Sequence, residues 1–329
     1  MKLERRSQDR FAASLAHAVM ATTLLLATCA SLAATDSALL IRESEQGMYA
    51  ADFKRATQGL DAALAAPTLE SDVRLALLLQ KLRVQQNARL AGVTLGDEAA
   101  TMVDVSLLAK QTRSRDLTGQ AALRLAVSRY FTALLADDTE RAMNFVPEFR
   151  AAAREIDAPC RRAEALFFVG LMPQIVGLVA ASQADLEAAQ ALAKDCPLEQ
   201  SYIDRHFAAV AEDAGDLAGA RTFARRSSEA RRQIGFRIFL PFSLLLEADL
   251  EEKSGDKSRS SAVARSRRNI ETAAASRSST RELCGGGAAS NRLGALRIGS
   301  LSQEMTWRDW ARSNGHPLGQ VAADESLSL

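Results

Sequence analysis

Residues 206–235, HFAAVAEDAGDLAGARTFARRSSEARRQIG, run directly into residues 236–256, FRIFLPFSLLLEADLEEKSGD. Gly215-Asp216 and Gly255-Asp256 end two helical runs about forty residues apart, which is a period typical of stacked helical units. After Gly215, the residues Leu217, Ala220, Ala224 and Ser227 fall on one stripe of a helix. A stripe of small side chains lets two helix axes approach closely. The reading that follows is an all-α chain built from antiparallel helical hairpins stacked as an α-solenoid, with little or no β structure.

Working outward, the composition agrees. The 329 residues are rich in Ala, Leu, Arg and Ser and hold only 7 Pro, 3 Tyr and 2 Trp, a mixture that favours helix over sheet. With 41 basic and 40 acidic side chains the formal net charge is +1. The molecule as a whole carries no field that draws it to nucleic acid or anionic lipid, so a charged partner has to be recognised locally.

Toward the N-terminus, Lys2, Arg5, Arg6 and Arg10 precede an uncharged run from Phe11 to Leu32 that ends in Ser31-Leu32-Ala33-Ala34. Basic, then apolar, then small is the order of a secretory signal within residues 1–34, with cleavage after Ala33 fitting best and a periplasmic or secreted protein as the consequence. The same run, residues 11–32, is long enough for an uncleaved membrane anchor. Cys29, preceded by Leu26-Ala27-Thr28, has some likeness to a lipoprotein acylation site.

Beyond a cleaved signal, Cys160, Cys196 and Cys284 remain. Cys160 stands at a predicted helix start and Cys196 at a predicted helix end, toward the open end of one hairpin, where a disulfide can clamp it. The two arms differ, at about twenty and about thirteen residues, and a rise of about 1.5 Å per residue makes that an offset of roughly 10 Å. A bridge and two unpaired core thiols therefore both stay open.

The stretch 51–67, ADFKRATQGLDAALAAP, has a small residue and an acid at its start, then an aromatic, an Ala three later and a closing Pro: Ala51, Asp52, Phe53, Ala56 and Pro67. In this it resembles the second helix of a tetratricopeptide (TPR) repeat, with residues 37–48 as its first helix and Asp52 placed to cap the first turn. Acids followed by Ala open further helices at Asp138 and Asp185. Residues 69–87 are strongly amphipathic, with Val73, Leu75, Leu77, Leu78 and Leu82 inward and the Arg and Gln residues outward. Helices are also predicted over 97–111 and 118–135, and Pro147, Pro173 and Pro241 are expected to start or kink helices.

The repeats span residues 35–256. Behind a signal peptide, such an array is similar to the periplasmic sensory region of bacterial TPR signalling proteins, in which a membrane helix and a cyclic-dinucleotide synthase domain often follow. Neither a second spanning segment nor the Gly-Gly-Asp-Glu-Phe (GGDEF) signature is found here, so no catalytic residue is carried over from that likeness.

From Lys257 the character changes. Residues 257–281 are dominated by Ser, Arg and Ala, and Cys284-Gly285-Gly286-Gly287 follows. A segment with so few apolar anchors cannot offset its chain entropy, which predicts a disordered, low-complexity tail over 257–329, with one short amphipathic helix over 305–310. Arg, Ser, Gly and Ala without periodicity is what a G+C-rich gene yields out of frame. This suggests that the native frame is lost soon after Asp256, leaving a truncated sensor remnant.

No chemistry stands out. His206 and His316 are the histidines outside the signal, and neither has a second ligand at metal spacing. Nucleophile elbows, phosphate loops and dinucleotide fingerprints are missing, and no cofactor is expected. The leading expectation is a non-enzymatic scaffold that binds a protein or peptide on the concave side lined by the first helices. Candidate contacts are Arg205, Glu212, Phe242 and Glu247. A helical enzyme with a site of scattered acids and arginines is the alternative from another class.

Overall fold

The computed structural model describes residues 37–136, 138–255 and 261, and all regular structure among them is helical. The signal, anchor and acylation readings, and everything predicted for residues 257–329, lie outside the described residues. Among those described, no helix is long and apolar enough to cross a membrane.

The order is α1 (37–49), α2 (Phe53–Leu64), α3 (Ser71–Leu90), α4 (Glu98–Ala109), α5 (Arg115–Leu135), the short α6 (Thr139–Met143), α7 (Val146–Glu155), α8 (Pro159–Ile175), a 3-10 turn (Val179–Ser182), α9 (Gln183–Leu192), α10 (Pro197–Asp213), α11 (Leu217–Gln233) and α12 (Leu240–Lys253). Neighbours in sequence are neighbours in space: α2 on α3, α3 on α4 and α5, α5 on α7, α7 on α8, α8 on α9, and α10 on α11, which in turn packs on α12. This is a stack of helical hairpins whose first helices are α1, α3, α5, α8 and α10, with α12 opening the next.

Local chemistry explains where the helices begin. Asp52, Asp97, Asp138 and Asp216 each accept a hydrogen bond from the amide three residues on, at 3.3, 2.9, 2.9 and 2.9 Å, satisfying amides that the helix leaves orphaned. Asp185 is different. It lies inside the first turn of α9, which starts from Ser182, and its carboxylate pairs with Arg150 at 2.8 Å. Pro159 and Pro197 occupy the first positions of α8 and α10, and Pro147 and Pro241 the second positions of α7 and α12, where a missing N–H costs nothing. Pro173 is two residues from the end of α8.

Packing between helices uses the small residues. Ala220, Ala224 and Ser227 are fully buried on α11. Glycine marks two crossings as well: a Cβ on Gly47 would come within 2.9 Å of the Ala56 backbone, and one on Gly170 within 2.9 Å of Leu186. The central core combines Tyr130, Phe149, Phe167 and Phe168 with Met172 and Leu186, and Phe149 and Phe168 stack with centroids 5.0 Å apart.

The stack also curls back on itself. Met48, Phe53 and Ala56 of the first hairpin share one apolar cluster with Leu198 of α10 and Phe236. The Arg237 amide donates to the Tyr49 carbonyl at 2.8 Å, and the Tyr49 and Phe236 rings meet edge to face. The packing around α3 corrects the expectation that the polar residues of 69–87 face outward: Gln80, Arg83, Gln85 and Gln86 are all buried, bonded in turn to Ser44 of α1, to Glu45 of α1 and Glu199 of α10, to the Leu95 carbonyl, and to Arg124 and Ser128 of α5.

Candidate functional site: the inner wall of the helical stack

Five successive first helices send charged side chains to one place. Glu45 comes from α1, Arg83 from α3, Arg124 from α5, Arg161 and Glu164 from α8, and Glu199 from α10, so the contributions recur at intervals of about forty residues, 38 for both the Glu45–Arg83 and the Arg161–Glu199 pairs. Arg83 is the hub. It is 3 % exposed and donates through Nη1 to Glu45 Oε1 at 2.8 Å and through Nη2 to Glu199 Oε1 at 2.9 Å. Arg161 binds the same two oxygens at 2.6 and 3.1 Å, and Arg124 pairs with Glu164 Oε2 at 2.6 Å.

The groups balance, three guanidiniums against three carboxylates, as burial demands. Burial raises the Glu164 pKa, but Arg124, Arg83 and Arg161 together outweigh it and hold this carboxyl down at about 2. Glu199 is pushed up because burial prevails over the attraction of Arg83 and Arg161. Burial works against the Arg83 charge, yet Glu164, Glu199 and Glu45 overcome it and raise its pKa. The Tyr49 hydroxyl beside the network is pushed up to about 12, chiefly by burial.

Amides and hydroxyls extend the arrangement. Gln86 accepts from Arg124 Nη1 at 3.0 Å and donates to the Arg124 carbonyl and Ser128 Oγ at 2.7 and 2.8 Å, and Ser128 donates to Glu98 at 2.7 Å. Gln80 donates to Ser44 Oγ at 3.2 Å. Such a network, charge-balanced and tied to five helices, fixes how they sit relative to one another, and its ions are already neutralised.

A disulfide joins Cys160 and Cys196 directly beside it, with Cα atoms 5.4 Å apart. Cys160 is in the first turn of α8 and Cys196 precedes α10. The offset expected from unequal arms is absorbed because α9 ends at Leu192 and residues 193–196 carry the chain back to the level of Cys160. The sulfurs and a Glu199 carboxylate oxygen lie within 4.8 Å of one another. The bridge thus holds together the starts of the two helices that supply Arg161 and Glu199.

The residues expected to face a partner are spread along α10 and α12. Arg205 is half-buried on α10 and has neither an ion pair nor a hydrogen bond among the described residues. Glu212, also half-buried, accepts from Lys253 Nζ of α12 at 2.6 Å. Phe242 is half-buried beside Phe239, centroids 5.9 Å apart. Glu247 corrects the expectation of a surface contact: it is 4 % exposed and accepts from Ser228 Oγ at 2.6 Å, because α12 turns this face toward α11. Phe236, Phe167 and Phe168 are buried core residues.

His206 is held in one tautomer. Gln174 uses its amide nitrogen to donate to Ser182 Oγ at 3.0 Å and to the His206 carbonyl at 3.2 Å, so its oxygen faces His206 Nδ1 at 2.6 Å. The ring must donate there, which leaves Nε2 as an acceptor. Burial, then the charges of Arg205 and Arg231, lower its pKa well below the ordinary histidine value, so it is neutral at pH 7.

Sequence reasoning missed the inner network. The signal was present as charged residues at near-constant spacing on the first helices, three arginines at Arg83, Arg124 and Arg161 flanked by the acids Glu45 and Glu199. Each one taken alone reads as a solvated residue on an amphipathic helix.

No protein-family model matches the chain, and no curated protein matches it either. Among solved structures the chain is similar to the one titled "Crystal structure of BtubC (BKLC) from P. vanneervenii", at 11% sequence identity and a TM-score of 0.42, over 79% of this chain and 98% of that one.

Proposed function

We propose that this protein is an exported TPR-like scaffold that binds a protein or peptide partner, of the kind that forms the sensory part of periplasmic signalling proteins. The observation that carries the reading is the contrast along the inner wall. From α1 to α10 the charges are consumed by one another. On the α10–α12 side, Arg205 has no counter-ion among the described residues, and Phe242 of α12 stands half-exposed. Arginine and aromatic residues are the side-chain types that anchor partners. Export is supported by the basic, apolar and small succession of residues 1–34 and by the disulfide, which suits an oxidising compartment.

The test is partner capture from a periplasmic extract with the immobilised full chain, compared with Phe242→Ala and Arg205→Glu variants shown by circular dichroism to keep their helicity. Specific recovery of a protein by the parent that is lost on both variants supports the reading. Recovery that is indifferent to both variants moves the partner surface elsewhere, and a parent that retains nothing above an unrelated helical control refutes it.

A further inference from the structure

Buried arginines on the inner wall are paired with acids: Arg83 with Glu45 and Glu199, and Arg124 with Glu164. Arg231 of α11 breaks the pattern. It is 1 % exposed, and the groups its guanidinium bonds to are neutral. Nε donates to Ser201 Oγ at 3.2 Å, while Nη1 donates to the Phe239 carbonyl at 2.8 Å and to Ser243 Oγ at 2.6 Å. The cation sits 5.0 Å from the centroid of Tyr202 and 5.7 Å from that of Phe239. Hydroxyls and ring faces solvate a guanidinium, but they do not cancel its charge.

The second cation is Arg205. It lies one helical turn beyond Ser201, the residue that accepts from Arg231, and so on the same side of α10. Nearby acids are already engaged: Asp204 with Arg226 at 3.0 Å, Glu212 with Lys253 at 2.6 Å, and Glu199 with Arg83 and Arg161. Burial depresses the Arg205 pKa, and burial together with the Arg205 charge brings Arg231 down to about 9, against an inherent preference of arginine to stay charged. Two cations at one corner, neither of them paired with a carboxylate among the described residues, are missing an anion.

We propose that the corner between α10, α11 and α12 is a binding site for an oxyanion, a carboxylate or a phosphate, which Arg205 grips directly while the buried Arg231 supplies a second positive charge behind it. Tyr202, Phe239 and Phe242 form the apolar flank on which the body bearing that group rests. The site goes beyond partner binding and does not depend on it, since the oxyanion can arrive free or on a larger ligand. Guanidinium suits this task because its planar fork matches both oxygens of a carboxylate or phosphate.

Isothermal titration of the full-length protein with inorganic phosphate, acetate and 3-phenylpropionate tests the proposal, with the His206 imidazole followed by NMR. The expected result is saturable binding of at least one probe, weakened about ten- to a hundredfold by Arg205→Gln, the loss typical of one charge-assisted hydrogen-bonding group. Binding should also raise the pH at which His206 protonates, because an anion offsets the two arginines that repel its charge. Tighter binding of 3-phenylpropionate than of acetate assigns the ligand an apolar body, whereas phosphate alone assigns a free ion. No saturable binding by any of the three overturns the proposal, as does binding that is unchanged in Arg205→Gln and leaves the His206 titration where it was.

Discussion

Replacing Arg83 by Met keeps much of its apolar volume and removes the hub of the inner network. The change leaves two guanidiniums facing three carboxylates in a space closed to water. Removing one partner of a buried ion pair costs about 3–5 kcal/mol, because the group left behind is uncompensated. Arg161 still reaches Glu45 at 2.6 Å and Glu199 at 3.1 Å, which places the loss at the lower end, about 3 kcal/mol. With a urea m-value of about 3 kcal/mol/M for a chain of this size, the midpoint should fall by roughly 1 M. The internal control is Arg150→Met, which breaks the half-exposed pair with Asp185 and should cost only about 0.2–1 kcal/mol. Adding Glu199→Gln to Arg83→Met restores the balance of charge, so the double variant should be less destabilised than the sum of the singles, with a coupling of about 0.5–3 kcal/mol. Hydrogen exchange should show the loss first in α1, the helix that Glu45 ties to α3 and α8. A midpoint shift no larger than that of Arg150→Met, or strictly additive singles, would refute the view that this network holds the stack closed.

Other outcomes follow from the same geometry. Glu164 has a folded-state pKa of about 2 against an ordinary 4.5, so its contribution, on the order of 3 kcal/mol, is complete above the unfolded value and is lost as pH falls toward 2. Glu199, raised by burial, has the opposite sign, its effect diminishing stability as pH rises through the carboxylate range. Glu164→Gln should therefore flatten the acid limb of a stability profile measured by chemical denaturation, and an unchanged limb would contradict the assignment. Opening the Cys160–Cys196 bridge, which closes a loop with a sequence separation of 36, should cost about 3–4 kcal/mol on the chain-entropy account; equal urea midpoints with and without reductant would show that the bridge does not restrain the unfolded chain. Gly170→Ala places a methyl 2.9 Å from the Leu186 side chain and should cost about 1–3 kcal/mol through overpacking between α8 and α9, read as a lowered melting temperature; a neutral result would mean that this crossing relaxes freely.

Local physics made much of the fold legible in advance. The acid-capped starts at Asp52 and Asp216, the prolines at helix openings and the buried small-residue stripe Ala220, Ala224 and Ser227 are set by hydrogen bonds and spacing within a few residues, and a linear sequence displays such things directly. Other features depend on which distant segments meet. Arg83 and Gln86 carry no local mark that distinguishes them from the exposed Arg and Gln of any amphipathic helix; the packing of α5 engages Gln86, and the approach of α10 supplies Glu199 to Arg83. Likewise Glu247 follows the polar pattern of a solvent face until α11 covers it, and Arg231 differs from its neighbours Arg225 and Arg232 only because Tyr202, Ser201 and Ser243 enclose it. Helix type and boundaries were decided by residues near each other along the chain. The fate of each charge, neutralised within or left to meet a ligand, was decided by contacts between different helices, from 19 residues apart for Glu247 to 116 for the Arg83–Glu199 pair, and those exist only in the assembled stack.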